Sequence, residues 1–439
     1  LKQDSHAELI TAMATAEGTS RFLRKAIDRG LLHAANLRKL ESLSCAAVGF
    51  GAYRVGGGAN EPQHAAALHA AIRGGVNLID TSSHYRDPAG GVGSVHGASE
   101  RLVGRVVQEL LAAGEASRDE LIVCTKLGHV DHQEGSEPPQ GSVPIAGKEG
   151  NTGEAFHCIE PAFVEAEVRS SRERLGTAPD FVYLHNPEYF LSEQMRCRVP
   201  IGDAWGEMYE KLEAAFKVLE GLCEEGVIAG GYGVSGNFLS CMHSTTGRPN
   251  LYEAIALDRV VGAAVAAGGQ QHRFRLAQLP LNAIESGAVL GRGGAVAEAK
   301  DGDCSLAGKL GVPLVANRPI NALPLPGVST GDWGRQGPTH LRLREAKPMG
   351  TVESLMRRVL LEALPEVDQA APLQQLALHI SSSAPSVSCC LVGMRLENYV
   401  EDTAAVLKAA PLSPEQVERA MSAVRRAAEE LGTEKRGLW

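Results

Sequence analysis

Short apolar runs alternate with helix-patterned stretches eight times between about residues 43 and 410, and this alternation leaves few architectures open. The runs fall at 44–50, 76–80, 121–126, 181–185, 229–234, 274–278, 313–317 and 387–392. Each has the length of a strand and the near-continuous hydrophobicity of a strand buried on both faces. Helical spacing fills 63–73, 99–113, 161–175, 205–225, 252–267, 306–310, 373–381 and 396–409. The sixth of these is the weakest, because its surroundings are rich in Gly and Ala. Strand followed by helix, repeated eight times, predicts an α/β fold built as a (β/α)8 TIM barrel.

Three units follow from this reading: a helical N-terminal extension over 1–42, the barrel over 43–410, and a C-terminal helix and tail over 411–439. In the first, Leu9, Ile10, Met13, Phe22, Leu23 and Ile27 fall at helical spacing, as in an amphipathic cap packed on a larger body. Residues 128–160, 190–204 and 318–350 are too long to be simple connections. All three follow strands, so they are expected on the C-terminal face, where barrels carry their sites. An added helix is expected over 351–364 and a last one over 413–431, with Ser413 as its cap and Glu415 in an acidic first turn.

Of the 439 residues, 44% are hydrophobic and 22% charged, which is the balance of a folded globular protein. The net charge of −9 excludes a general nucleic-acid binder. No apolar stretch is long enough to cross a bilayer. Nine scattered cysteines, with no CxxC pair, fit a reducing compartment. The first residue is Leu1, so a removed targeting peptide and a shortened chain are both open readings. The expected setting is an intracellular one, the cytoplasm or the interior of a mitochondrion or chloroplast.

Asp80, Tyr85, Lys126 and His185 each sit at or just past the end of a predicted strand. Taken singly, each has an ordinary structural role. Asp80 would cap a turn with Thr81 and Ser82, Tyr85 would pack in a loop, Lys126 would reach solvent, and His185 would be a satisfied core imidazole. Strands two, three and four of one barrel, however, open onto one mouth, so the four side chains converge. A phenol can give a proton to a carbonyl oxygen, an ammonium can lower the phenol's pKa, a carboxylate can hold the ammonium, and an imidazole can orient the substrate.

In this pattern the chain resembles the aldo-keto reductases. That family carries Asp-x-x-x-x-Tyr after the second strand, Lys ending the third and His ending the fourth, matched by Asp80, Tyr85, Lys126 and His185. Gly49-Phe50-Gly51 resembles its glycine pair after the first strand, and Gly97-x-Ser99-Glu100 the opening of its second helix. Gly233-Val234-Ser235-Gly236-Asn237 resembles its Gly-Val-Ser-Asn, with one Gly inserted. Gln278, followed by Asn282, resembles the sixth-strand Gln that holds the nicotinamide amide. The likeness spans about four fifths of the chain.

The resemblance implies NAD(P)H-dependent reduction of an aldehyde or ketone, or the reverse oxidation, on a small carbonyl substrate. Tyr85 is then the general acid, its pKa depressed by Lys126 and Asp80, with His185 on the carbonyl oxygen. Ser235, Asn237 and Gln278 would grip the cofactor's carboxamide, and Gly51, Asn317 and Arg318 would also bind the cofactor. Gly393, Arg395 and Asn398 would hold the adenosine phosphate, with Arg395 the partner for a 2′-phosphate; this favours NADP(H), with NAD(H) the alternative. Asn317 stands where the family commonly places an aromatic residue that stacks on the ring, so that stacking is expected to be lost. No metal is implied. A role of another class, a cofactor-retaining scaffold in a larger assembly, would use the N-terminal extension or the long loops.

Other signals carry less. Gly91-Val92-Gly93 with Gly97 follows no buried strand and reads as a loop. His129, His132, His157 and Cys158 lack tight ligand spacing and read as solvated loop residues rather than a zinc site. Adjacent Cys389 and Cys390 would point to opposite faces of a strand and serve packing.

Overall fold

The computed structural model describes residues 13–130, 137–145, 155–236, 255–291, 303–322, 341–342 and 352–430. Eight strands run parallel and close on themselves: β3 (Val48–Gly51), β4 (Leu78–Asp80), β5 (Ile122–Leu127), β9 (Phe181–His185), β10 (Gly231–Ser235), β11 (Phe274–Pro280), β12 (Leu314–Asn317) and β15 (Val387–Gly393). Every neighbouring pair is parallel, including β15 with β3, which seals the barrel. The expected (β/α)8 architecture is therefore present. Side chains alternate between two apolar compartments, as strands covered on both faces require. Cys389 joins the interior with Leu78, Cys124, Tyr183 and Leu391, whereas Cys390 joins the layer under the helices.

Helices α2 (Glu61–Arg73), α3 (Ala98–Ala112), α4 (Pro161–Leu175), α6 (Ile201–Glu224), α7 (Leu257–Gly268), α9 (Asp303–Leu310), α11 (Leu373–Ser382) and α12 (Glu397–Lys408) follow successive strands and form the outer ring. The weakest predicted helix, α9, does form. Residues 252–254, expected to begin α7, lie outside the described residues.

The expectation of one strand over 44–50 is corrected. Residues β1 (Leu37–Leu40) and β2 (Leu43–Ala46) make an antiparallel hairpin, and the barrel strand starts only at Val48. Glu41, at φ 56°, lies in its tight turn. Leu40 and Leu43 join the interior cluster with Leu78 and Leu276, and Asn77 takes the Ala46 amide at 3.0 Å and gives to the Ser44 carbonyl at 2.9 Å. The hairpin thus packs on the strands' N-terminal end. The N-terminal extension is consequently not wholly helical: α1 (Ala16–Asp28) is followed by strand β1, and residues 1–12 lie outside the described residues. Helix α1 is anchored by Arg21, which reaches Asp119 at 2.9 Å and Glu120 at 3.0 Å.

The predicted loops also carry structure. Two-residue strands β6 (His129–Val130), β7 (Val143–Pro144) and β8 (Phe156–His157) form a small antiparallel sheet inside 128–160. The stretch 190–204 is not a simple loop but contains most of α5 (Tyr189–Arg196), which buries Phe190 and Leu191. In 318–350, Asn321–Ala322 pairs with Leu341–Arg342. The added helix runs Val352–Ala363 and the last one Pro414–Glu430. Ser413 does cap the latter: its hydroxyl accepts from Gln416 N at 3.3 Å, while the Gln416 side chain returns to Ser413 N at 2.7 Å. No helix among the described residues is long and apolar enough to cross a membrane.

Candidate active site

The C-terminal ends of β4, β5 and β9 bring Asp80, Lys126 and His185 to one end of the barrel, with Tyr85 in the loop five residues beyond Asp80. Lys126 is wholly buried, which an ammonium tolerates only when paired. Its Nζ donates to Asp80 Oδ1 and, at 2.9 Å, to the Thr81 carbonyl. It also interacts with the Tyr85 hydroxyl by charge and hydrogen bonding, and lies 4.7 Å from the centre of that ring. Tyr85 is half-buried, edge-on to His185 with ring centres 5.9 Å apart and to Tyr53 at 5.3 Å. The four predicted residues are therefore assembled in one place.

Electrostatics refine the expected roles. Burial pulls the Lys126 ammonium down, but Asp80 and Tyr85 more than offset this and hold it above its ordinary value. Burial pushes the Tyr85 phenol up; Lys126 pulls it down, and the Asp80 charge pushes it up again. The expectation that Asp80 and Lys126 together depress Tyr85 is thus corrected. Only Lys126 favours the phenolate, and the balance leaves the phenol above its ordinary value. Burial, then the neighbouring His129 and Lys126, drive His185 well below the ordinary imidazole range, so it is neutral.

The next strands add a layer of amides. Ser235 stands opposite both His185 and Gln278 in the strand register. Gln278 donates Nε2 to Asp80 Oδ2 at 2.9 Å and accepts at Oε1 from Ser235 Oγ at 3.0 Å and Asn317 Nδ2 at 3.1 Å. Asn317 Oδ1 is buried without a hydrogen-bond partner, an acceptor left open beside this network. Arg318, at φ 58°, pairs with Glu285 at 3.5 Å, and its charge acts on His185. Gly51 pairs with Asp80 at the end of β3. Gly393 ends β15, and Arg395 lies just before α12, whose first turn contains Asn398. That helix has no side-chain cap on its first amides. Asn237 lies outside the described residues.

Sequence reasoning missed the histidines around Tyr85. The solvated-loop reading of His129 and His157 is corrected: His157 is 1% exposed, and its Nε2 donates to the His185 carbonyl oxygen at 2.6 Å. Gly128 allows this close approach, because a Cβ there would lie 2.6 Å from His157 Nε2 and 2.7 Å from the His185 oxygen. His84 stacks on His129 with ring centres 3.9 Å apart. The available signal was His84 itself, next to Tyr85 in the motif. His132 lies outside the described residues. Asn186, at φ 53°, accepts 3.3 Å from His129 Nε2 and gives its backbone amide to Ser235 O at 2.6 Å.

Comparison with known proteins bears on the same region. No curated protein sequence matches the chain. Among solved structures, an aldo-keto reductase from Bacillus halodurans in its holo form is 17% identical, covers 88% of this chain and 95% of its own, and gives a TM-score of 0.52. The glycerol dehydrogenase of Gluconobacter oxydans is 18% identical, with 90% and 96% covered and a TM-score of 0.55. An aldo/keto reductase from Klebsiella pneumoniae in complex with NADP and acetate is 17% identical, with 88% and 94% covered and a TM-score of 0.50. At such identities what is shared is the fold. The sequence relation comes from a family model, described as the aldo/keto reductase family, which matches residues 47–246. Those residues hold Asp80, Tyr85, Lys126, His185 and Ser235, so the part of the chain that is similar to the aldo/keto reductase family is the part that carries the site.

Proposed function

We propose that the protein is an oxidoreductase that reduces an aldehyde or ketone, or oxidises the corresponding alcohol, with a dinucleotide cofactor and Tyr85 as the proton-transferring group. The observation that carries this reading is the convergence of Lys126, paired with Asp80, on the Tyr85 phenol beside a neutral His185. The match to the aldo/keto reductase family model over residues 47–246 and the cofactor-bound Klebsiella pneumoniae neighbour support it.

A nicotinamide dinucleotide fits the residues present. The open Asn317 Oδ1 can accept from a ring carboxamide, and Ser235 and Gln278 stand beside it. At the other end, Arg395 and the amides opening α12 offer a charged partner for a 2′-phosphate, which favours NADP(H) over NAD(H). The bound cofactor would supply or accept the hydride. The chain's own part is proton delivery and orientation. His185, neutral through burial, would donate a hydrogen bond to the carbonyl oxygen. The raised pKa of Tyr85 keeps its proton on the phenol at neutral pH, ready to move to that oxygen, while Lys126 stabilises the phenolate left behind. Asp80 keeps Lys126 in place and charged.

Titration of the purified chain with NADPH and NADH, followed by nucleotide fluorescence, tests the cofactor. Tyr85→Phe tests the chemistry: carbonyl reduction should fall by ~10²–10⁴-fold while nucleotide affinity changes little. Turnover equal to the parent's, or no nucleotide bound at millimolar concentration, would refute the proposal.

A further inference from the structure

The proton-transfer scheme uses one histidine, yet several crowd the same mouth. His84, His129 and His185 each bring a ring nitrogen to a common point, with all three nitrogens within 4.8 Å of one another. The residues come from three separate places: the loop after β4, the small strand β6, and the end of β9. Rings of His84 and His129 stack at 3.9 Å, and His185 lies 5.1 Å and 4.9 Å from them. Surrounding groups hold the first two rings: Ser82 Oγ is 2.9 Å from His84 Nδ1, and Asn186 Oδ1 is 3.3 Å from His129 Nε2. His185 is 8% exposed, and its Nδ1 is buried with no hydrogen-bond partner. An electrophile seated between the three rings would take one lone pair from each.

We propose that His84, His129 and His185 form a binding site for one divalent transition-metal ion of the zinc type, and that the ion and a carbonyl substrate exclude each other at the barrel mouth. Imidazole nitrogens select zinc, cobalt, nickel or copper over calcium or magnesium, which prefer oxygen. Three nitrogens around a tetrahedral zinc ion lie ~3.3 Å apart, from a Zn–N distance of about 2.0–2.1 Å. Contraction of the observed triangle, up to 4.8 Å on a side, to that size requires rotation of the ring side chains. Lys126 and Arg318 both act on this cluster by charge; Asp80 pairs with Lys126 and Glu285 with Arg318, which limits their repulsion of a dication. Three protein ligands leave a fourth position for water or another oxygen. Tyr85 lies 4.8 Å from His84 and 5.9 Å from His185, ring centre to ring centre. The ion therefore takes the place that the proposed function gives to the carbonyl oxygen. The exclusion rests on that reading of His185; metal binding does not.

Cobalt(II) titration of the full chain tests the site without any assay of turnover. One equivalent should give the intense visible absorption of a tetrahedral ion, and zinc should displace it. His129→Asn and His84→Gln should each weaken cobalt binding at least tenfold, while thermal unfolding and NADPH fluorescence titration match the parent; if one variant folds poorly, the other decides. No absorption at one equivalent, or absorption unchanged in the folded variants, overturns the site. Zinc should raise KM for a carbonyl substrate without changing kcat. Zinc bound with KM unchanged overturns the exclusion alone, and a chain that binds cobalt but shows no turnover refutes the proposed function while leaving the site standing.

Discussion

Gln278 gives its side-chain amide to Asp80 across 2.9 Å, joining β11 to β4 at the mouth of the barrel. The same side chain accepts from Ser235 and Asn317. One amide thus links the residues assigned to the nicotinamide end with the carboxylate that holds Lys126. What changes at one should be felt at the other.

Gln278→Leu keeps the volume and removes both functions of the amide. Asp80 then loses a donor, and Ser235 and Asn317 lose their acceptor, a loss of about 1–3 kcal/mol for buried polar groups left unpaired. The expected outcome is a lower denaturation midpoint together with at least tenfold weaker NADPH binding. A lower midpoint with nucleotide affinity intact would make Gln278 a structural residue only.

Lys126→Met should move the alkaline limit of carbonyl reduction upward. The sign follows from the site: burial already holds the Tyr85 phenol above its ordinary value, and Lys126 is what opposes that. Removing the ammonium leaves the phenol a weaker acid, so the rate at neutral pH drops and the limb of the kcat/KM profile shifts to higher pH. A limb shifted to lower pH contradicts the assignment.

Arg395→Gln should narrow the preference for NADPH over NADH, with NADPH affinity falling by about tenfold as a charge-assisted contact to the 2′-phosphate is lost. Parallel titrations with the two nucleotides give the ratio. An unchanged ratio places the 2′-phosphate elsewhere.

Arg118 and Asp180 form an ion pair at 2.9 Å with both side chains almost fully buried. Asp180 also accepts the backbone amides of Ala14 and Val123 at 2.7 Å each, tying the segment before α1 to β5. Arg118→Met leaves that carboxylate buried without its cation and should lower stability by about 3–5 kcal/mol, measured by urea unfolding. A loss below about 1 kcal/mol would show that the pair is dispensable.

Acid should loosen the attachment of α1. Burial raises Glu120, but the Ser117 amide, Lys25 and Arg21 outweigh it and hold the carboxyl below its ordinary range; Asp119 is held low in the same way by Ser117 and Arg21. Carboxyls depressed in the folded state contribute stability that is present above their unfolded pKa and is lost as pH falls through the folded values. Urea midpoints should therefore fall as the pH drops below the ordinary carboxylate range, and Arg21→Ala should make that fall shallower by about 1 kcal/mol. Equal slopes for the variant and its parent would remove Arg21 from this role.

Sequence alone determined the repeating unit, because strand and helix periodicities are local and the chain states each of them in order. The eight barrel strands and the placing of Asp80, Lys126 and His185 at strand ends needed nothing more. Hairpin Leu37–Ala46 was not legible, since the run 44–50 reads as one strand; only the docking of Leu40 and Leu43 against the barrel interior decides where it breaks. Nor was the balance at Tyr85, because burial and the opposing pulls of Lys126 and Asp80 depend on distances that spacing does not contain. The open acceptor of Asn317 and the gathering of His84, His129 and His185 likewise exist only once segments remote in the chain share one end of the barrel. Local pattern sets which elements form; charge, desolvation and ligand geometry act through space, and the closed sheet fixes them.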